Sequence, residues 1–436
     1  MVKPRPPQLT VKCVDTYCEL YRNLFVEVRS YEAFKYLHVG IISDIKKKSL
    51  PAIAKAVGLK NEQGLLHFLT ESPWQAEELE KRRLEIILNI LEGREIILII
   101  DETGDKKKGK TTDYVKRQYI GNLGKIESGI VSVNAYGYCE GMTFPLKFKV
   151  FKPRERLKEG DKYKTKPELG AELIKELKAI GFKIKRVLAD SLYGESHSNF
   201  ISVIERLGIE YAVAIRSNHG VWLPKEAKVR ANRWREFEHI RWDGKRETRY
   251  IREIIYGKKR RIQYWEITRD NKNIKPENIW FVMTKIPQIK YKQVGQIYGV
   301  RMWIEYGFKQ SKSELGWADF RVTHYEQIQK WWELIMSAYL MICLHSKSFN
   351  PAVAPISEIF QEHELWDTGK GWKSLLNNIQ LILQPYVYFN LILKWLKIFP
   401  IPQLTLGFPR LIAKINEINY LHYLVYLWDD FCYSSA

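Results

Sequence analysis

The spacing of apolar residues changes several times along the chain and divides it into five segments. Residues 1–93 carry apolar positions at helical spacing, most clearly from Trp74 to Leu91, and predict a helical domain. Two short helical stretches joined at Gly58 fit a helix-turn-helix arrangement, and an ordinary helical pair fits equally well. Residues 349–436 are rich in Leu, Ile, Trp and Tyr and predict a helical C-terminal subdomain.

Residues 94–220 have the pattern of a mixed sheet with helices. EIILIID is a continuous apolar run, typical of a buried strand, that ends at Asp101. KIKRVLAD predicts a second buried strand, which ends at Asp190. GIVSVNAYGYCEG and MTFPLKFKVF alternate and predict antiparallel strands, and IEYAVAIRS predicts a further strand. With helices predicted at Leu169–Ile180 and His197–Leu207, the order is β-β-β-α-β-α-β.

Two more segments complete this core. Residues 221–292 alternate basic and aromatic residues with stretches such as RIQYWEIT, and predict a β-rich insertion. Residues 293–348 return to helical spacing, from Val294 to Leu315 and from Glu326 to Leu344, and form the second part of the core. We therefore expect an α/β fold, an RNase H-like mixed sheet with helices that is interrupted by a β-rich insertion and flanked by helical N-terminal and C-terminal regions.

The charge of the chain indicates the kind of partner. Lys and Arg total 70 against 50 for Asp and Glu, which gives a net charge of +20 and favours nucleic acid. The five cysteines form no C-x-x-C pair, and neither a signal-peptide pattern nor a G-x-x-x-x-G-K-[ST] nucleotide loop is present. We expect a soluble, intracellular protein that needs neither zinc nor a nucleotide cofactor and does not bind a membrane.

Acidic residues in this pattern indicate metal-dependent chemistry on phosphate. Asp101 and Asp190 end two neighbouring parallel strands in this interpretation, so their carboxylates are expected to meet beyond the strand ends. Carboxylates at such a place can hold the two divalent ions that phosphoryl transfer on DNA commonly uses. The strand neighbour Glu102 is left out of the expected ligands, because adjacent residues of a strand face opposite ways.

A third acid comes from the helix predicted around YGVRMWIEYGFKQSK. At 100° per residue, Tyr298, Arg301, Glu305 and Lys312 fall within about 60° of one another on one face. Such a stripe suits one metal ion and the phosphates beside it, because Arg and Lys bind phosphate. An ordinary solvated stripe with Arg301 and Glu305 as an i,i+4 pair explains the same pattern equally well.

These residues resemble a known family. Y-x2-R-x3-E-x6-K, present at Tyr298, Arg301, Glu305 and Lys312, resembles the signature of bacterial insertion-sequence transposases of the DDE class. The stretches DETGDKKKGK…RQYIGNLGKIESG and LADSLYGE also resemble the surroundings of that family's first and second aspartates. The resemblance extends from about Glu95 to Glu326 and includes the β-rich insertion before the last acidic helix.

The resemblance implies a site and a reaction. It implies that Asp101, Asp190 and Glu305 bind two Mg²⁺ ions, for which Mn²⁺ can substitute. It implies cleavage of DNA at the terminal inverted repeats of a transposon, a hairpin intermediate, and joining of the freed ends to target DNA. The terminal phosphates would be held by Tyr298, Arg301 and Lys312.

Further expectations concern partners and location. In this family an aromatic residue of the insertion stacks on a base turned out of the duplex, and the candidates here are Trp222, Trp234 and Trp242. The resemblance also implies a homodimer on DNA and a cytoplasmic, nucleoid-associated bacterial protein. The helix-turn-helix interpretation around Gly58 predicts that residues 1–93 form a DNA-binding domain. Two alternatives stay open: a structure-specific nuclease on the same core, and a DNA-binding protein derived from an inactive transposase.

Overall fold

The structure is a computed structural model. It describes residues 5–109, 111–241, 245–258, 261–346, 361–369 and 371–418. The N-terminal helices are α1 (Lys12–Glu19), α2 (Val28–Ile42), α3 (Leu50–Ala56), α4 (Gln63–Thr70) and α5 (Ala76–Leu91). The first strands and helices of the sheet region are β1 (Ile96–Lys106), β2 (Lys116–Ile120), β3 (Lys125–Cys139), β4 (Met142–Val150), α6 (Lys166–Ile180), β5 (Ile184–Ala189), α7 (Ser191–Gly194), α8 (Ser202–Arg206) and β6 (Glu210–Ile215).

The second half of the described chain begins with strands and ends with helices. The strands are β7 (Val229–Ala231), β8 (Arg235–Ile240), β9 (Arg246–Tyr256), β10 (Gln263–Thr268) and β11 (Ile279–Thr284). The helices are α9 (Tyr291–Arg301), α10 (Trp303–Lys309), α11 (Tyr325–Leu344), α12 (Trp372–Ile398) and α13 (Pro402–Ile418), with a π-helical turn at Gln310–Glu314.

These elements group into two compact units. Residues 1–92, 140–144 and 309–436 belong to the helical unit, and residues 93–139 and 145–308 belong to the sheet unit. The five-segment division made from the sequence stays a prediction. In the helical unit, α11 is buried along most of its length and packs on α2, α5 and α12. Its charged residue Glu333 is fully buried and pairs with Arg83 of α5 at 3.0 Å.

The described strands form one mixed sheet of eleven strands. Its order is β2-β3-β1-β5-β6-β11-β10-β9-β7, with β4 beside β3 and β8 beside β9. Strands β1, β5 and β6 are parallel to one another, whereas β3 and β11 are antiparallel to their neighbours in this core. The expected mixed α/β sheet is confirmed, and the strands of the predicted insertion extend it, because β11 pairs directly with β6.

The prediction that β1 ends at Asp101 is wrong. The strand continues to Lys106, because β3 pairs with it from Ile97 as far as Lys106. Its parallel pairing with β5, in contrast, ends at Ile100 and Ala189. Asp101 therefore lies within β1 but immediately beyond the end of β5, which is the position that brings it towards Asp190.

The helix expected without interruption from Val294 to Leu315 is broken twice. Helix α9 ends at Arg301, and the amide N–H of Met302 bonds to the carbonyl of Gly299, three residues back instead of four. The chain resumes as α10 and then widens into the π-helical turn Gln310–Glu314. The 100° projection that placed Lys312 on the stripe of Glu305 therefore does not hold, since it requires one regular helix.

Candidate active site

Asp101 and Asp190 meet where β5 ends. Asp190 follows β5 directly and caps α7, where its Oδ1 accepts a hydrogen bond from the amide of Leu192 at 2.9 Å. Asp101 lies on the neighbouring strand one residue past Ile100, which pairs with Ala189. The sequence-based expectation that these two carboxylates come together is thus consistent with the structure, although their catalytic role stays a prediction.

Glu102 joins the two aspartates, contrary to the interpretation of the sequence. One carboxylate oxygen from each of Asp101, Glu102 and Asp190 lies within 4.8 Å of the others. Strand alternation still separates the Cβ atoms of Asp101 and Glu102. No residue of β5 pairs with β1 beyond Ile100, however, so the longer Glu102 side chain can reach past the end of that strand. The second acid directly after Asp101 was the signal that could have indicated it.

The surroundings of this acidic group are those of a cation site. Among the described residues, three polar atoms at the site are buried without a hydrogen-bond partner: Glu102 Oε2, the Tyr193 hydroxyl and Arg301 Nε. Burial raises the pKa of Asp101 well above its usual value, and Asp190 and Glu102 raise it further, against the opposing effect of Arg301. Burial likewise raises the pKa of Glu102, although Lys166 lies 3.1 Å away. A divalent cation would relieve this repulsion, and three carboxylates are ligands that such a cation takes.

Arg301 connects Glu305 to the acidic group. Its Nη2 donates to Glu305 Oε1 at 2.9 Å, and its Nη1 lies 3.4 Å from Asp101 Oδ2. Arg301 is mostly buried, and Tyr298, Asp101 and Glu305 raise its pKa even though burial alone would lower it. The Glu305 side chain is 52% exposed and is not part of the acidic group. The i,i+4 pair considered from the sequence therefore forms, and it also reaches Asp101.

Two glycines hold α9 close to the sheet. A Cβ on Gly295 would lie 2.3 Å from the Phe237 ring, and a Cβ on Gly299 would lie 2.4 Å from Cε1 of His239. Both rings belong to β8 and are buried. Only glycine permits this approach, which sets the position of Tyr298, a buried residue whose ring centroid lies 5.8 Å from the Arg301 guanidinium.

The other residues predicted to contact DNA differ in how exposed they are and in which unit they lie. Trp222 is 92% exposed, in a loop after β6. Trp234 is half-buried, with the Arg252 guanidinium 4.4 Å from its ring centroid. Trp242 lies outside the described residues. Lys312 is half-buried in the π-helical turn of the helical unit.

Comparison with known proteins identifies the class to which this fold and site belong. Residues 25–247 match the family described as DDE superfamily endonuclease, and residues 154–341 match the transposase DDE domain. The chain is 58% identical, over 355 residues, to a probable transposase for insertion sequence element IS701 from Microchaete diplosiphon. That alignment covers 80% of this chain and 92% of the relative. The chain therefore belongs to the DDE superfamily and is a DDE transposase.

One solved structure is similar over most of the chain. It is a piggyBac transposase synaptic complex with hairpin DNA, at 10% identity and a TM-score of 0.41, covering 93% of this chain and 81% of that one. Within the described residues, no helix is long and apolar enough to cross a membrane. As a DDE transposase, the protein acts on DNA with divalent metal ions, for which the acidic group is a candidate site.

Proposed function

We propose that this transposase cuts the ends of its own element with Asp101, Asp190 and Glu305 as its catalytic carboxylates. The observation that carries the proposal is the convergence of Asp101 and Asp190 beyond the end of β5, with Arg301 joining Glu305 to Asp101. In this proposal Asp101, Asp190 and Glu305 would hold Mg²⁺, or Mn²⁺ in its place. Two such ions would supply the Lewis acidity that activates the attacking oxygen and stabilises the leaving oxygen.

Arg301 has two roles in this account. Without a cation, it neutralises Asp101 and Glu305, which would otherwise repel each other. If those carboxylates held a cation, the Arg301 guanidinium would be available to the phosphate next to the cut, which it could bind through two parallel hydrogen bonds. Tyr298 and Lys312 are proposed to contact the neighbouring terminal phosphates. In this proposal, Arg301 lies four residues before Glu305 because it pairs with that carboxylate in the absence of metal and with a phosphate in its presence.

The later steps and the partners are also proposals. The freed 3′-hydroxyl attacks the opposite strand to form a hairpin, and after hairpin opening the 3′ ends join target DNA. An aromatic residue would stack on the base turned out at the hairpin, with Trp222, Trp234 and Trp242 as candidates. Trp222 is exposed enough to do so. We infer that the protein works as a homodimer on the terminal inverted repeats, at the nucleoid in the bacterial cytoplasm.

The proposal is tested with a labelled fragment that carries the element's own end. With Mg²⁺, the wild-type protein is expected to give a nick at the end, then a hairpin, then products joined to target DNA. Nicks without joined products would instead show a structure-specific nuclease. Binding without any cleavage, with Mg²⁺ or Mn²⁺, would show a DNA-binding protein derived from an inactive transposase.

The third carboxylate is tested by a matched pair of variants. Glu305→Ala is expected to abolish cleavage, whereas Glu102→Ala should retain part of it. Glu102 belongs to the acidic group, whereas Glu305 reaches Asp101 through Arg301, so the pair compares the two glutamates that are candidates for the third carboxylate. The reverse result, with Glu305→Ala active and Glu102→Ala inactive, would show that Glu102 is the third ligand.

A further inference from the structure

Three arginines gather at the end of the strands that extend the sheet. Arg249 lies in β9, Arg241 follows β8, and Arg269 follows β10. We call Arg241, Arg249 and Arg269 the arginine cluster. Burial lowers the pKa of His239, and the charges of all three guanidiniums lower it further, whereas Glu247 raises it. Positive charge therefore exceeds negative charge around this histidine.

The arginine cluster lies on the side of the sheet where β5 and β6 end, which is also the side of the acidic group. Strand β6 is parallel to β5 and ends at Ile215, which pairs with Phe281 near the start of β11. The neighbouring residue Trp280 pairs with Ile267 near the end of β10, and Arg269 follows that strand. Successive strands are about 4.8 Å apart. Arg269 follows β10, the third strand from β5, and is therefore about 14 Å from β5 across the strand ends. Arg241 follows β8, the fifth strand, and is about 24 Å from β5.

Direct packing links the arginine cluster to the helix of the active site. His239 precedes Arg241 by two residues, and its ring lies against Gly299 of α9. Gly299 stands between Tyr298 and Arg301 in the sequence. The arginine cluster and Arg301 are therefore on elements that touch each other, at one edge of one unit.

A tryptophan holds two of the guanidiniums in place. The Trp280 ring centroid lies 5.3 Å from the guanidinium of Arg249 and 5.5 Å from that of Arg269. Arg249 is buried and forms an ion pair with Glu247, so it supports the arrangement from within. Burial, together with the charges of Arg269 and Arg241, lowers the pKa of Arg249. Arg241 and Arg269 are exposed and can reach a ligand.

We propose that the arginine cluster is a phosphate-binding site for the backbone of the transposon-end duplex, inside the cleavage position. The inference rests on the proposed function, because it takes the acidic group as the place of the cut. A distance of about 14 to 24 Å along B-DNA, at about 3.4 Å per base pair, corresponds to about four to seven base pairs. Arg269 binds a phosphate at the near end of this span and Arg241 one at the far end, and the Trp280 ring holds Arg269 in position.

The test measures the salt dependence of binding to the end duplex without divalent metal. Each lost phosphate contact should lower the slope of log K against log salt by about 0.9, so Arg241→Gln/Arg269→Gln should lower it by about two. The control is Arg206→Gln, which removes an exposed arginine of α8 just before the start of β6, at the opposite edge of the sheet. Circular dichroism melting checks that each variant folds.

A second measurement locates the contact on DNA. Neutral methylphosphonates placed about four to seven base pairs from the cut should weaken wild-type binding but not binding by the double variant. An unchanged salt slope, an equal loss in Arg206→Gln, or sensitivity of the double variant to these methylphosphonates would overturn the inference. Cleavage by the wild-type protein is measured alongside, so absence of cleavage would count against the proposed function and not against the arginine cluster.

Discussion

Gly299 of α9 lies directly against the His239 ring, so one added methyl group at Gly299 tests whether the position of α9 matters for cleavage. In Gly299→Ala, the new methyl group would lie 2.4 Å from His239 Cε1 and 2.6 Å from Nδ1, where ordinary contacts begin near 3.4 Å. The His239 side chain is 4% exposed and has little room to withdraw, so α9 has to shift by up to about 1 Å. Tyr298 and Arg301 would move with it.

The expected magnitudes follow from two opposing effects. Overpacking costs about 1 to 3 kcal/mol, whereas replacing glycine by alanine within a helix gains about 1 kcal/mol. We therefore expect a net loss of about 2 kcal/mol or less in unfolding free energy. A displacement of about 1 Å near the reacting atoms can cost about a hundredfold in rate, so cleavage should fall far more than stability does.

The assay combines urea unfolding with the rate of nicking at a labelled end. Gly407→Ala in α13 is the matched control, because a Cβ there would meet nothing within 4 Å. It should be neutral or slightly stabilising and fully active. His239→Ala, which removes the obstructing ring, should restore part of the activity of Gly299→Ala when the two are combined. Wild-type cleavage by Gly299→Ala would refute the reasoning.

Three more predictions follow from the buried charges and the exposed tryptophan. Burial raises the pKa of Asp101 in the folded state, so the stability that this group contributes is present below its unfolded pKa and is lost as pH rises through the folded pKa. Asp101→Asn should therefore melt at a higher temperature than wild type at pH 7 without metal. The same variant should lose the stabilisation that Mg²⁺ gives wild type. Arg83→Leu leaves Glu333 buried without its ion pair and should cost about 3 to 5 kcal/mol, measured by urea unfolding, whereas adding Glu333→Leu should recover much of it. Trp222→Ala should leave melting unchanged, since the side chain is 92% exposed, and lower the yield of hairpin on gels; an unchanged yield would remove it from the candidates.

The parts of the site that could be read from the sequence are those with a strong local pattern. Leu98–Ile100 of β1 and Val187–Ala189 of β5 are buried on both faces of the sheet, so each stretch is an apolar run in the sequence. The residue after each run lies where β5 ends. Asp101 and Asp190 could be placed for that reason. The alternating pattern of the insertion indicated strands, but which strand they would pair with depends on β6 and β11 meeting in space.

The parts that could not be read depend on long-range pairing or on irregular backbone. The polar segment after Asp101 looks like a loop, yet β3 pairs with it as far as Lys106. The helix of Arg301 and Glu305 has a break at Met302 and a π-helical turn after Lys309, and neither has a local signal such as proline. A projection at a fixed angle per residue fails across such irregularities, although the predicted Arg301–Glu305 pair forms even across the break at Met302.

The most direct test of the central claim, that these carboxylates bind the catalytic metal ions, is metal-specific rescue of cleavage. Asp190→Cys replaces a carboxylate by a thiolate, which binds Mg²⁺ poorly and softer divalent ions better. We expect wild type to nick a labelled transposon end with Mg²⁺ or Mn²⁺, whereas Asp190→Cys is inactive with Mg²⁺ and regains activity with Mn²⁺. Full activity of Asp190→Cys with Mg²⁺ would contradict the account, because Asp190 would then not be a metal ligand.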